Sequence, residues 1–228
     1  MSDLHLTVDE VAQCQNLPVL PRPALLTLAL CLFGCEPKVA NLDSPGRTVI
    51  AFGDSITAGV GAEENQDYPA VLQQLLAIEV LPRGGSGETS ADALSRLDAV
   101  LAEQPWLVVV EFGGNDILRR VPIEQTEANL RRLLERLRAA RVAAVLVGVR
   151  APYIGGRHAD LFERLSREFG APLIDDALAD ILAEPALKAD QIHPNSKGHR
   201  QLAQAVAEVL RPLIEDRRQQ GLAVAAAP

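Results

Sequence analysis

After Cys35 the chain contains no cysteine: all three, Cys14, Cys31 and Cys35, fall in the first segment. The body that follows therefore has no disulfide, no thiol nucleophile and no thiolate ligand for a metal. Basic runs are missing as well. Across 228 residues, 22 Lys and Arg stand against 30 Asp and Glu, a net charge of −8. No stretch gathers enough positive charge to follow a nucleic-acid backbone. No apolar run reaches the roughly 20 residues that span a bilayer. Histidine is scarce, with four in all, so candidates for a general base near neutral pH are few. An Asp-x-Asp pair and a Gly-rich loop ending in Lys are both absent. That argues against Mg²⁺-dependent phosphoryl transfer at the strand-end residues Asp54, Asp116 or Asp175. What remains, 48% hydrophobic and 23% charged residues, is the composition of an ordinary globular domain.

The N-terminal segment reads as an address. Residues 24–34 (ALLTLALCLFG) follow Arg22 and are apolar throughout, the length of a signal-peptide core. The stretch ends Leu32-Phe33-Gly34-Cys35, which resembles a bacterial lipobox, so Cys35 is the expected lipidation site and attachment point to a membrane. Asp3, Asp9 and Glu10 are out of place at the head of a signal; a translation start near Leu17 or Val19 would remove them. The expected destination is outside the cytoplasmic membrane of a bacterium, in the periplasm or on a membrane.

In the body, short apolar runs alternate with amphipathic ones. Strands are expected over residues 48–52 (TVIAF), weakly over 79–82, then over 106–112 (WLVVVEF), 143–149 and 172–174. Helices are expected over residues 68–78, 89–104, 124–140, 158–169 and 195–210. The strands are mostly continuous apolar runs rather than alternating ones, which predicts a parallel sheet covered on both faces, an α/β three-layer sandwich with about five strands. A leader is placed at 1–35, a linker at 36–46, one domain at 47–213 and a flexible tail at 214–228. In such sheets ligands gather beyond the carboxyl ends of the strands. That directs attention to Gly53-Asp54-Ser55, to the glycine cluster Gly84, Gly85 and Gly87, to Gly113-Gly114-Asn115-Asp116, and to Asp190–His193.

Each of these has a plain structural use: a serine after a strand can cap a helix, Gly-Gly-Asn-Asp can be a turn, and Asp-x-x-His can begin a helix. The set is more telling. Ser55 is a candidate nucleophile that needs a base. His5 lies in the leader, and His158 and His199 lie in helical stretches with no evident partner. His193, three residues after Asp190, can have its ring oriented by that carboxylate. Gly87 can offer a backbone N–H and Asn115 a side-chain amide to a developing oxyanion.

GDSITAG, the glycine in SGETS, GGND and DQIHPN are similar to the four blocks of the SGNH (GDSL) hydrolase family, over roughly residues 48–210. VEFGGNDILR and DQIHPNSKGH resemble its thioesterase I, arylesterase and lysophospholipase-like group. The resemblance implies a flavodoxin-like sheet of order 2-1-3-4-5 and no metal or other cofactor. It implies Ser55 as nucleophile, His193 as base and Asp190 as its orienting acid, with Ser55, Gly87 and Asn115 forming the oxyanion hole. The expected substrates are small-molecule esters or thioesters of short to medium acyl chains, with carbohydrate O-acetyl esters, or a non-catalytic lipoprotein role, as alternatives. Two places depart from the group's pattern: Glu88 stands where Asp is usual, and residues 151–156 (APYIGG) differ in a substrate-side loop.

Overall fold

The computed structural model describes residues 39–150 and 157–227. The leader, Cys35 and the departing loop 151–156 lie outside the described residues.

Five strands, β1 (Thr48–Gly53), β2 (Val80–Gly84), β3 (Pro105–Glu111), β4 (Ala143–Val147) and β5 (Leu173–Ile174), form one sheet in the order β2-β1-β3-β4-β5. All four pairings are parallel. Every residue of β3 is buried, which is why WLVVVEF is apolar at every position but Glu111: helices cover both faces. The chain steps one way from β1 to β2 and the other way from β2 through β3 to β5. Right-handed crossovers then put the first connecting helix on one face and the later ones on the opposite face. On one side α1 (Tyr68–Leu76) packs against α7 (Ser196–Gln219); on the other α2 (Ser90–Ala102), α4 (Ile123–Ala139) and α5 (Arg157–Phe169) pack in series.

The register sets the positions of the site loops. Gly53 pairs with Gly84 on one side and with Glu111 on the other. The segments that leave β1, β2 and β3 therefore emerge side by side at one edge. Two short helices that hydrophobic periodicity does not foretell, α3 (Gly114–Leu118) and α6 (Ala177–Ala183), lie beyond this edge. At 5 and 7 residues they are too short to show a helical repeat.

The two ends differ from expectation. The last helix does not stop before Pro212 but runs to Gln219. Pro212 costs the helix one N–H, yet Leu213 and Ile214 bury on its far side. The buried Arg217 then gathers four carbonyls: Nη1 donates to Leu42 (2.6 Å) and Ser44 (3.0 Å), Nη2 to Gly46 (2.9 Å) and Ala223 (3.0 Å). Its guanidinium also lies 4.5 Å from the Trp106 ring centroid. Ala225 in turn donates to Arg47 and accepts from Glu79. The described part of the presumed linker is likewise structural: Leu42 joins the core and Ser44 is buried. A guanidinium that satisfies carbonyls from the segment before β1 and the segment after α7 is invisible to pattern reading, because the surrounding Glu215-Asp216-Arg217-Arg218 looks like a solvated face. Arg217→Ala is expected to destabilise the domain by about 3 kcal/mol or more, since it removes charge-assisted hydrogen bonds and leaves buried acceptors unpaired. Denaturant unfolding followed by the emission of the lone Trp106 measures this; a loss below about 1 kcal/mol would refute it.

Candidate active site

At the end of β1 there is no room for a side chain: a Cβ on Gly53 would fall 2.0 Å from Thr57 Oγ1 and 2.7 Å from Glu111. The chain then folds back through tight turns, with Ala58 N–H donating to Asp54 O (3.0 Å) and Val60 N–H to Ser55 O (3.0 Å). Ser55 is left at the floor of a cavity with its hydroxyl 3.0 Å from His193 Nε2. His193 Nδ1 lies 2.7 Å from Asp190 Oδ2. The other Asp190 oxygen accepts the backbone N–H groups of Ile192 (2.8 Å) and His193 (2.9 Å), so one carboxylate shapes the loop and aims the ring. Since a carboxylate can only accept here, Nδ1 carries the ring proton and Nε2 presents its lone pair to Ser55. The hydrogen bond from His193, with help from the Ile192 N–H, pulls the Asp190 carboxyl down to about 2.

The His193 loop is fixed to the serine turn by short-range packing. Lys188 and Pro194 form an antiparallel bridge. Asn195 caps α7 through Oδ1 while its Nδ2 donates to Ala186 O and Lys188 O. Gly61, at φ +93°, lets Pro194 O approach so closely that a Cβ there would meet it at 2.2 Å. His199 differs from expectation in having firm partners. It is fully buried, Nδ1 accepts the Tyr68 N–H (3.2 Å) and Nε2 donates to Val60 O (3.1 Å). Burial pushes its imidazole towards the neutral form, and it ties α1 and the serine turn to α7 rather than offering a base.

The N–H groups of Ser55 and Gly87 have no acceptor among the described residues. Gly87 sits at φ +78°, a conformation that favours glycine. Asn115 is less free than the sequence leads one to expect. Its Nδ2 donates to Asp54 Oδ2 (3.0 Å) and to Glu88 O (2.9 Å), so both amide hydrogens are engaged. The Glu88 side chain pairs with Arg96 at 3.0 Å, while its backbone carbonyl is the group that meets Asn115. Two residues that pattern reading passes over also reach the site. Arg119 donates to Gly87 O (2.7 Å) and holds that loop. Glu111, fully buried, accepts the Asp54 N–H (3.3 Å) and the Thr57 hydroxyl (3.0 Å). A carboxylate inside the apolar run WLVVVEF was the signal that could have exposed it.

Asp116 and Asp175 have other duties. Asp116 accepts the N–H and hydroxyl of Ser90 and the hydroxyl of Thr126, joining α2, α3 and α4. Asp175 pairs with Arg150. The cavity above Ser55 has a volume of about 430 Å³, within the usual range for small-molecule sites. Ile117, Leu118, Val149, Leu178, Leu182 and Ile192 supply its apolar wall. Leu118 and Ile192 are its exposed lips, at 55% and 41% exposure. The arrangement can activate a hydroxyl, hold a developing oxyanion with fixed N–H donors and shelter an apolar group.

Comparison with known proteins gives a consistent picture. The model of the GDSL-like lipase/acylhydrolase family matches residues 51–201. The chain is 36% identical over 202 residues to Esterase TesA of Pseudomonas aeruginosa, covering 82% of this chain and 99% of that protein. It is 34% identical over 176 residues to Thioesterase 1/protease 1/lysophospholipase L1 of Escherichia coli K12, covering 73% and 85%. Among solved structures, that of TesA superposes with a TM-score of 0.69 at 33% identity, over 73% of this chain and 99% of the other. That of AlinE4, an SGNH-hydrolase family esterase, does so with 0.60 at 31%, over 73% and 96%.

Proposed function

The chain belongs to the GDSL-like lipase/acylhydrolase family and is a serine ester hydrolase of the SGNH type, and from that premise we propose that it cleaves short- to medium-chain acyl esters or thioesters at Ser55 through an acyl-enzyme. His193 takes the Ser55 proton as Oγ attacks the carbonyl carbon, and Asp190 steadies the imidazolium. The tetrahedral oxyanion is held by the N–H groups of Ser55 and Gly87 and by the Asn115 amide, which turns one hydrogen from Glu88 O towards it. The tetrahedral intermediate collapses, and the leaving alcohol or thiol takes the proton from His193. Water, deprotonated by the same ring, then releases the acid and restores Ser55. The continuous path Ser55–His193–Asp190, at 3.0 and 2.7 Å, carries this reading.

The apolar wall of the cavity favours an acyl chain over a bare acetyl group on a carbohydrate. Rates on p-nitrophenyl esters from acetate to palmitate decide between them: an optimum beyond butyrate is expected, and activity confined to acetate would turn the reading to O-acetyl esters. Activity should also fall in acid, because a histidine base works only when neutral. Asp190 stays ionised until near pH 2, so its own proton plays no part above that. The acid limb of log(kcat/KM) should therefore have a slope of one, and a flat profile down to about pH 5 would contradict a histidine base.

Export and lipidation at Cys35, placing the enzyme in the periplasm or on a membrane, complete the proposal. No helix among the described residues is long and apolar enough to cross a membrane. Intact mass of the native protein tests this; an unprocessed N-terminus with an unmodified Cys35 would refute it.

A further inference from the structure

Beside the site lies a carboxyl pair that the mechanism leaves unused. Glu111 closes β3 and Asp54 follows β1; the strand register sets their backbones side by side, and both are buried. Glu111 Oε2 accepts two hydrogen bonds, but Oε1 is buried with no donor. Asp54 is supplied as a carboxylate should be: Oδ1 accepts the Ile56 N–H (3.0 Å) and faces the Ser55 hydroxyl (3.5 Å), and Oδ2 accepts from Asn115 (3.0 Å). Two carboxylates this close cannot both ionise in a buried place. Burial and the neighbouring Asp54 charge push Glu111 well above the usual carboxylate range, and the Asp54 N–H on Glu111 Oε2, at 3.3 Å, keeps the two residues side by side.

We infer that Glu111 is a positioning residue: it stays protonated, donates from Oε1 to Asp54, and so holds the Asp54 carboxylate that orients the Asn115 amide and the Ser55 turn. The inference rests on the esterase reading of the site. Hydrogen bonds then run in one direction. Tyr68, whose phenol burial keeps protonated, donates to Thr57 (2.9 Å), Thr57 to Glu111, and Glu111 to Asp54. The titratable groups that face the pair are Tyr68 from α1 and His193 from its loop, with Asp67 acting on Tyr68 from the start of α1. No cation pairs with Glu111 or Asp54 among the described residues, so a proton is what neutralises them.

Glutamine keeps a donor in the Oε1 position and alanine does not, so Glu111→Gln and Glu111→Ala separate positioning from bulk. Each variant is compared with wild type and Ser55→Ala on p-nitrophenyl butyrate, with active sites counted by the acyl-enzyme burst. Expected is a fall in kcat of about 10–100-fold for Glu111→Ala with KM little changed, and recovery to within about fivefold in Glu111→Gln. Wild-type kcat should also decline at alkaline pH as the pair loses its last proton, and Glu111→Gln should lack that decline. Infrared spectra at about pH 7.5 should show a protonated-carboxyl band in wild type and Ser55→Ala that Glu111→Gln loses; this readout needs no activity. Wild-type kcat per active site in Glu111→Ala, an unchanged alkaline limb in Glu111→Gln, or no such band would overturn the inference. Equal hydrolysis by wild type and Ser55→Ala would instead bring down the esterase site itself, and this inference with it.

Discussion

Ser55→Ala is expected to lower kcat for an activated ester by about 10⁶-fold, leaving only what the oxyanion donors and binding supply over water. The effect is this large because every covalent step passes through one atom. The change should leave the fold intact. The Ser55 hydroxyl meets His193 at 3.0 Å and Asp54 at the long distance of 3.5 Å, while the turn is held by backbone bonds and by the Asp54 carboxylate on Ile56 N–H. Thermal unfolding beside the kinetics separates the two quantities. A variant that keeps a tenth of the wild-type rate would remove Ser55 from the reaction.

Asn115→Ala comes second, with an expected loss of about 10²–10³-fold in kcat and little change in KM. An oxyanion donor acts on charge that develops only in the transition state. The structure adds a reason for the loss to lie at the upper end of that range. The Asn115 amide also joins Asp54 on the β1 edge to the Glu88 carbonyl in the glycine loop, so its removal loosens the loop that presents Gly87. Arg119 still holds Gly87 O from the solvent side, which should keep the loop from unfolding. Steady-state kinetics on active-site-titrated protein checks this, and an unchanged kcat would take Asn115 out of the oxyanion hole.

Much of the site was legible beforehand because its parts are local. Asp190 and His193 stand three residues apart, a spacing that lets a loop bring them together, at 2.7 Å in the structure. Ser55 and Asn115 each follow a clear apolar strand and Gly87 follows a weaker one, and a parallel sheet delivers such positions to one edge. Asn115 is legible only in part: its position is evident, but the prior engagement of its amide depends on a carboxylate 61 residues away and a carbonyl 27 away. His199 is hidden for the same reason, since its partners at Val60 and Tyr68 lie 139 and 131 positions off. Arg217 is hidden for the same reason: by sequence it is one more charge on a polar face, whereas it binds carbonyls up to 175 residues away.

The sequence by itself determined the order of the strands and main helices along the chain and the residues that could form a nucleophile, base and oxyanion hole. Hydrophobic periodicity and loop chemistry are short-range properties, written into neighbouring residues. Tertiary structure alone decided which buried polar groups meet. The register of β1 on β3 sets Glu111 beside Asp54, and the return of α7 carries Arg217 to the segment before β1. Such groups cannot be left unpaired away from water, so their partners are chosen by whatever the folded chain brings within hydrogen-bonding distance.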